Sequence, residues 1–340
     1  MQAYPSIKPD THSSARPELV SIIIPCYNAA EWIKEAIDSC LAQTYKPIEI
    51  IVVDDGSTDN SVNIVSLYGD SVHIERGVNL GGSVARNRGF AISKGDYVIF
   101  LDADDFIAPR MVETLIKELW GTTNTVAACR WWYFILKDTV WVPVEGRLLE
   151  PNKEDPLYCW LEGYFIPCHA LLWPREIIEN IGGWDETLTA NQDGDLMFRA
   201  LLNGAKLITV NEGGAYYRKY GASYKSVSTS TSQRSIESRF RVLDKLQQRL
   251  VALNLLDLYS LPLSWAYHGL AINSFGVSTS TARECVRRAR RLAGFHSVKG
   301  TFWHRVGCFF LGLENKERLS RSLASVAIID KIRSRTLLRN

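Results

Sequence analysis

Tyr97-Val98-Ile99-Phe100-Leu101-Asp102-Ala103-Asp104-Asp105 is an apolar run that ends in three carboxylates within four residues. Such a run reads as a strand carried through the interior, with the acidic cluster at its carboxyl tip. Carboxylates this close repel one another unless solvent, hydrogen bonds or a cation offsets the charge. A divalent ion holding a diphosphate would do so, because magnesium or manganese needs only one or two protein carboxylates when phosphates and water complete its shell. A solvated acidic turn is the plainer alternative, and the run by itself leaves both open.

The flanking sequence repeats the pattern. Residues 19–24 form a continuous apolar run closed by Pro25, and residues 48–53 and 72–75 read as two further strands. Between them, Asn28 stands as an N-cap with Glu31 three residues on, before Ile33, Ala36, Ile37, Cys40 and Leu41 at helical spacing. Helices are expected at 57–67 and 83–93, and from Pro109 along Met111, Val112, Leu115, Ile116 and Leu119. Strands alternating with helices imply a mostly parallel sheet covered on both faces. Ligands of such sheets bind beyond the carboxyl ends of the strands. Asp54-Asp55-Gly56-Ser57 and Asp102-Ala103-Asp104 both fall there, so the two acidic clusters should face one crevice. The G-x-G-x-x-G fingerprint is absent, and Gly81-Gly82-Ser83-Val84-Ala85-Arg86 has neither its spacing nor a P-loop lysine. That argues against a nicotinamide dehydrogenase or a P-loop kinase. Past Val126, Trp131, Trp132 and Trp141 are expected in strands, 193–202 as a helix and 206–210 as a returning strand. A Ser/Thr-rich stretch at 226–232 reads as a linker into helical sequence.

Composition bounds the rest. With 340 residues, 46% hydrophobic and 22% charged, the chain can bury a sizeable core and is not globally disordered. Its seven cysteines are scattered without a C-x-x-C pair, which fits reduced, buried thiols of a cytoplasmic protein better than disulfides or zinc. The N-terminal segment to about residue 17 is polar, unlike a signal peptide, and no apolar run reaches membrane-spanning length. Residues 281–340 carry 14 Lys and Arg against 4 Asp and Glu, whereas the rest carries 25 against 33. A basic tail on an acidic body points to a polyanionic neighbour.

Four ordered motifs, Val20-Ser21-Ile22-Ile23-Ile24-Pro25-Cys26-Tyr27-Asn28, Val53-Asp54-Asp55-Gly56-Ser57-Thr58-Asp59, Ala85-Arg86-Asn87-Arg88-Gly89 and Asp102-Ala103-Asp104, resemble glycosyltransferase family 2 over about residues 19–225. The resemblance implies the GT-A fold, a Rossmann-like mixed α/β sheet, and an inverting transfer from a nucleotide sugar. With the charge and helical patterning of the remainder, the chain is expected to divide into a flexible segment 1–18, a catalytic domain 19–225 that carries the resemblance, and a basic α-helical region 226–340. By resemblance, Pro25, Tyr27 and Asn28 line the nucleotide site and Asp55 accepts from the ring N–H of the base. Asp104 ligates Mg2+ or Mn2+, Asp102 lies near the ribose or the metal, and Arg86 lies near phosphate. Gly182-Gly183-Trp184-Asp185-Glu186 precedes Asn191-Gln192-Asp193, which aligns Asp193 with the family's catalytic base. For Asp54, Asp55 and Arg86, turn chemistry or a helix-start arginine is the competing explanation.

The chain departs from the family in two places. Gln192 replaces the usual glutamate beside the base, and Tyr220 stands where many members have a metal-binding histidine. Arg218 is then the candidate for the diphosphate, while Trp184 and His169 are candidates for the acceptor side. Arg283, Arg287, Arg288, Arg290 and Arg291, followed by the apolar and aromatic residues 302–311, suggest peripheral docking on the cytoplasmic face of a membrane. A helical appendage with a solvated basic side accounts for them equally, and no nucleic acid is expected. The expected function is metal-dependent transfer of a hexosyl or N-acetylhexosaminyl group, from a donor expected to be a UDP-sugar, to a saccharide or lipid-linked glycan in cell-surface polysaccharide synthesis. A nucleotidyltransferase lacks its basic glycine-rich loop here. An inactive nucleotide-sugar-binding or scaffold protein of the same fold is the alternative.

Overall fold

The computed structural model describes residues 17–219 and 230–299, together with Cys308 and Gly312. Strand β1 (Val20–Cys26) lies between β2 (Ile48–Asp54) and β4 (Tyr97–Phe100), parallel to both, and β3 (His73–Arg76) extends the parallel half beyond β2. From β4 the sheet turns mixed. β8 (Leu171–Pro174) runs antiparallel to β4, and β6 (Thr125–Lys137), β9 (Lys206–Lys219) and β5 (Phe106–Ile107) follow, giving the order β3-β2-β1-β4-β8-β6-β9-β5. β7 (Val140–Glu145) pairs antiparallel with β6.

Val20, Ser21, Ile22, Ile23 and Ile24 are each 0% exposed, so β1 is covered on both faces, as a run that is apolar but for Ser21 requires. Helices α1 (Ile33–Leu41), α2 (Ser61–Ser66), α3 (Gly82–Ile92) and α4 (Met111–Leu119) alternate with these strands. Short helices α5 (Pro156–Leu161) and α6 (Arg175–Asn180) follow, then α7 (Gln192–Leu202) before β9. The chain continues as α8 (Gln233–Ala252), α9 (Leu256–Ser274) and α10 (Thr279–Ala293). All seven cysteines are buried and none forms a disulfide.

Several expectations need correction. The first strand does not stop before Pro25 but runs through it to Cys26. Pro25 would direct an N–H toward β4, where the ladder has already ended with Leu101 N donating to Ile23 O, so the missing donor costs nothing. Asn28 is not a helix cap. It takes a left-handed φ of 49°, and its Oδ1 accepts from Thr58 N at 2.8 Å, tying the turn after β1 to the turn after β2. Helix α2 begins at Ser61 rather than near Ser57, because Asp54 Oδ1 accepts from Ser57 N and Asp59 accepts from both Ala30 N and Ser61 N. β9 is 14 residues long, not five, since a register shift between Cys129 and Trp131 of β6 lets the pairing pass the Gly213-Gly214 interruption.

Residues 230–232 lead directly into α8, whose N-cap Ser232 accepts from Ser235 N at 3.2 Å. Residues 226–229 and most of 302–311 lie outside the described residues. α10 turns Ala282, Cys285 and Ala289 inward and leaves Arg283, Arg287, Arg290 and Arg291 exposed. Arg288 is consumed by packing: it stacks 5.0 Å from the Phe240 ring, reaches Tyr267 Oη at 3.1 Å and pairs with Asp244 and Glu284. Among the described residues no helix is long and apolar enough to cross a membrane.

Candidate active site

The carboxyl ends of β2, β1 and β4 lie side by side, and the candidate residues gather there. Asp55 N donates to Cys26 O at 2.8 Å, so the two acidic turns flank the end of β1. Asp55 itself is buried, and its two oxygens accept from Leu80 N at 2.9 Å and Gly81 N at 2.8 Å. It therefore holds the loop that precedes α3, while the remaining lone pairs of each oxygen stay open to a further donor. Pro25 is half-buried, and Tyr27 is 50% exposed at the rim.

Arg86, one turn into α3, joins the two sides of the crevice. Its Nη2 lies 2.5 Å from Asp102 Oδ1, its Nη1 donates to Gln192 Oε1 at 3.3 Å, and its guanidinium lies 4.6 Å from the Trp184 ring centroid. The pairing with Asp102 holds the guanidinium charged although it is buried, overriding the opposite pull of desolvation. The helix that carries Asp193 is thus linked through one side chain to the acidic motif. Asp193 lies in the first turn of α7 and is exposed to solvent. Desolvation raises its carboxyl above the usual aspartate range, with Asp102 adding to the rise and the Gly194 amide and Arg86 opposing it.

The next residue of α3, Asn87, fixes the segment before Asp193. Its Nδ2 donates to Trp184 O at 2.9 Å and its Oδ1 accepts from Trp184 N at 2.8 Å. A Cβ on Gly183 would sit 2.8 Å from Asn87 Oδ1, and the φ of 69° there also demands glycine.

Below the acidic motif the structure is closed. Asp105, 1% exposed, accepts from Arg218 N at 2.6 Å, and its Oδ2 lies 3.2 Å from His169 Nδ1 without hydrogen-bond geometry. Both groups are driven to their neutral forms: burial, then Asp104 and Asp102, raise the carboxyl well above its usual value, and burial lowers the imidazole to about 4. The Arg218 side chain is 1% exposed, pairs with Glu35 Oε2 at 2.6 Å and donates to Asp104 O. Rings of Trp32, Phe106 and Trp141 lie 4.4, 5.2 and 5.3 Å from its guanidinium.

Three candidates therefore sit differently from what the sequence suggested. Arg218 presents no surface to a diphosphate here and instead pins the backbone of the acidic turn. His169 and Trp184, 0% and 3% exposed, offer no face to an acceptor; Trp184 packs edge-on against Phe100 at 5.0 Å and supports Arg86. Tyr220 lies outside the described residues. Glu35, the partner of Arg218, was missed, and only its place in the first turn of α1 could have drawn notice.

A family model described as Glycosyl transferase family 2 matches residues 21–182. An uncharacterised glycosyltransferase of Nostoc sp. is 31% identical over 230 residues, 65% of this chain and 71% of that protein. Another from Rickettsia typhi is 37% identical over 187 residues, 54% of this chain and 58% of the relative. One from Rickettsia felis is 36% identical over 192 residues, 54% of this chain but 31% of the relative, so the chain spans only 31% and 58% of these two Rickettsia proteins. Among solved structures, Staphylococcus aureus TarS 1–349 in complex with UDP-GlcNAc superposes with a TM-score of 0.66 at 15% identity, covering 90% of this chain and 91% of that one. A mannosyltransferase from Pyrobaculum calidifontis in complex with GDP-Man and Mn2+ gives 0.51 at 16% identity, covering 92% and 88%. The mixed sheet with its carboxyl-end crevice is the GT-A arrangement of these neighbours, and with the Nostoc relative matched over most of its length the chain belongs to glycosyltransferase family 2.

Proposed function

We propose that the chain is an inverting, metal-dependent glycosyltransferase that moves a hexosyl or N-acetylhexosaminyl unit from a UDP-sugar to a hydroxyl of a saccharide or lipid-linked glycan, in cell-surface polysaccharide synthesis. The observation that carries this reading is the Arg86 bridge, 2.5 Å to Asp102 and 3.3 Å to Gln192, which brings the helix start bearing Asp193 against the acidic motif. The UDP-GlcNAc complex of the TarS neighbour supports the choice of nucleotide.

Asp102 and Asp104 fit a divalent ion by their chemistry. They are hard oxygen donors, both half-buried at the strand tip, and such an ion needs only one or two carboxylates when phosphates and water complete its shell; among the described residues no group of three or more His, Cys, Asp or Glu stands as a metal cage. Asp104 would hold the ion directly, with Asp102 beside it. When bound, the ion supplies Lewis-acid neutralisation of the leaving diphosphate. Asp193 accepts the proton of the acceptor hydroxyl as that oxygen bonds to the anomeric carbon and the bond from carbon to the diphosphate oxygen breaks. The raised carboxyl suits a proton acceptor, and attack from the face opposite the departing diphosphate inverts the centre. Asp55, Tyr27, Pro25 and Asn28 form the nucleotide side. We assign the exposed arginines of α10 to an anionic membrane face, where a lipid-linked acceptor would be presented.

A panel of UDP-, GDP- and TDP-sugars with and without Mn2+ tests the reading. One donor should release its nucleoside diphosphate in a metal-dependent manner, and Asp193→Asn should bind that donor normally but lose about 10²–10⁴-fold in rate. Binding without turnover in the wild-type chain would favour a non-catalytic nucleotide-sugar-binding protein, the reading to which Gln192 lends some support. Full turnover by Asp193→Asn would remove the base assignment.

A further inference from the structure

One face of α8 grips the segment that carries Asp193, four times in succession. Arg234, Ser238, Arg241 and Lys245 recur at helical spacing along α8, and each bonds to a residue between 185 and 195. Ser238 Oγ, buried, accepts from Thr189 N and Ala190 N, both at 3.0 Å, and lies 2.9 Å from Ala190 O, to which it donates. Arg241 Nη1 donates to Thr187 O at 3.1 Å, and Arg234 O accepts from Thr189 Oγ1 at 3.3 Å. Lys245 Nζ lies 2.7 Å from both Asp185 Oδ2 and Asp195 Oδ1, which joins the loop before α7 to the first turn of that helix.

This grip replaces what local structure does not supply. Residues 185–190 form neither helix nor strand, and the N-cap of α7, Asn191, sits at a left-handed φ of 57° with no side-chain cap. Asp195, whose side chain is 4% exposed, is held from one side by Lys245 and from the other by Arg199 Nε at 2.8 Å. Asp193 is two residues away in the same first turn, so the backbone from which it projects is held on both sides by contacts with α8.

We propose that Ser238 and Lys245 are positioning residues of the transfer reaction, and that α8 completes the catalytic centre by seating Asp193. The proposal rests on Asp193 being the base. Misplacement of a reacting group by about 1 Å costs on the order of 10²-fold in rate, so loosening the seat should act on turnover before it acts on donor affinity.

The test uses the full chain with Ser238→Ala, Lys245→Met and Lys245→Arg beside Asp193→Asn. UDP with Mn2+ serves as the binding probe, and the donor selected by the nucleotide-sugar panel serves for turnover. For Ser238→Ala and Lys245→Met, kcat should fall at least about tenfold while donor KM and bound UDP per molecule stay within about twofold. Lys245→Arg should restore most of the rate. Amide hydrogen exchange should quicken at residues 185–195 and not along residues 97–101. Unchanged kcat and exchange in both variants, with Asp193→Asn inactive, would overturn the proposal and leave the base assignment standing. Loss of rate matched by loss of bound UDP would also overturn it, since that marks general damage. An active Asp193→Asn would overturn both.

Discussion

Arg86 is the positive charge that lets Asp102 and Asp193 share one crevice, and this coupling can be read in a rate profile. The Asp193 carboxyl is held above the ordinary aspartate range by desolvation and by Asp102, against the opposing Gly194 amide and Arg86. With Asp193 as the proposed base, which acts only when ionised, turnover is lost as pH falls through the folded pKa, and the acid limb of kcat should lie above the unperturbed value of about 3.9. Replacing Arg86 with glutamine removes a charge that favours the ionised carboxylate. The acid limb should therefore move to higher pH. Profiles of the wild-type and Arg86→Gln chains between about pH 4 and 8 check both statements, with melting temperature as the control for folding. An unmoved limb, or one displaced to lower pH, would show that Arg86 does not act on Asp193.

Helix α3 shows how much one element must reconcile, because consecutive residues serve different tasks. Arg86 and Asn87 face the site, Arg88 pairs with Glu75 at 2.8 Å, and Gly89 lies against the sheet. A Cβ at Gly89 would meet Ile23 Cγ2 at 2.4 Å and Val53 Cγ2 at 3.0 Å. Gly89→Ala gains up to about 1 kcal/mol of helix propensity. It overpacks the contact with β1 and β2 at a cost of about 1–3 kcal/mol, so the net effect should be destabilising. Denaturant melts should show a lower midpoint with unchanged slope; a higher midpoint would mean that α3 can retreat from the sheet. Elements of this kind were legible in the sequence because a strand covered on both faces must be a nearly continuous apolar run, as residues 19–24 and 48–53 are apart from Ser21 and Glu49, which bond to each other. Asn28 was not, since an asparagine followed by glutamate three residues on fits a helix cap and a left-handed turn alike, and only Thr58, thirty residues away, decides between them. Trp184 and His169 misled for a related reason: an aromatic residue near a motif reads the same whether it packs in the core or opens to a sugar. The contacts of Ser238, Arg241, Lys245 and the Arg234 carbonyl were not legible either, because their partners lie 45 to 60 residues upstream, where no local pattern announces them.

Over the whole molecule, positive charge is concentrated after residue 280, and the structure divides it by task. Arg288 is half-buried and held by Phe240, Asp244 and Glu284, whereas Arg283, Arg287, Arg290 and Arg291 lie on the exposed side of α10. Glu284 holds Arg287 and offsets part of that field. A basic residue beside an anionic bilayer contributes about 1 kcal/mol, so this face should contribute about 2–3 kcal/mol, enough for weak binding that salt reverses. The full chain should therefore cosediment with phosphatidylcholine vesicles containing about 30% phosphatidylserine at low ionic strength and be released by about 0.5 M salt. Arg290→Glu combined with Arg291→Glu reverses two of the charges and should lower vesicle binding by at least about tenfold, with donor turnover in solution unchanged. Binding that survives high salt and extends to purely zwitterionic vesicles would mean apolar insertion rather than attraction by this helix face. Equal binding of the double variant and the wild-type chain would remove α10 from the membrane reading, and the arginines would then serve only as a solvated surface over the Ala282, Cys285 and Ala289 contact with α9.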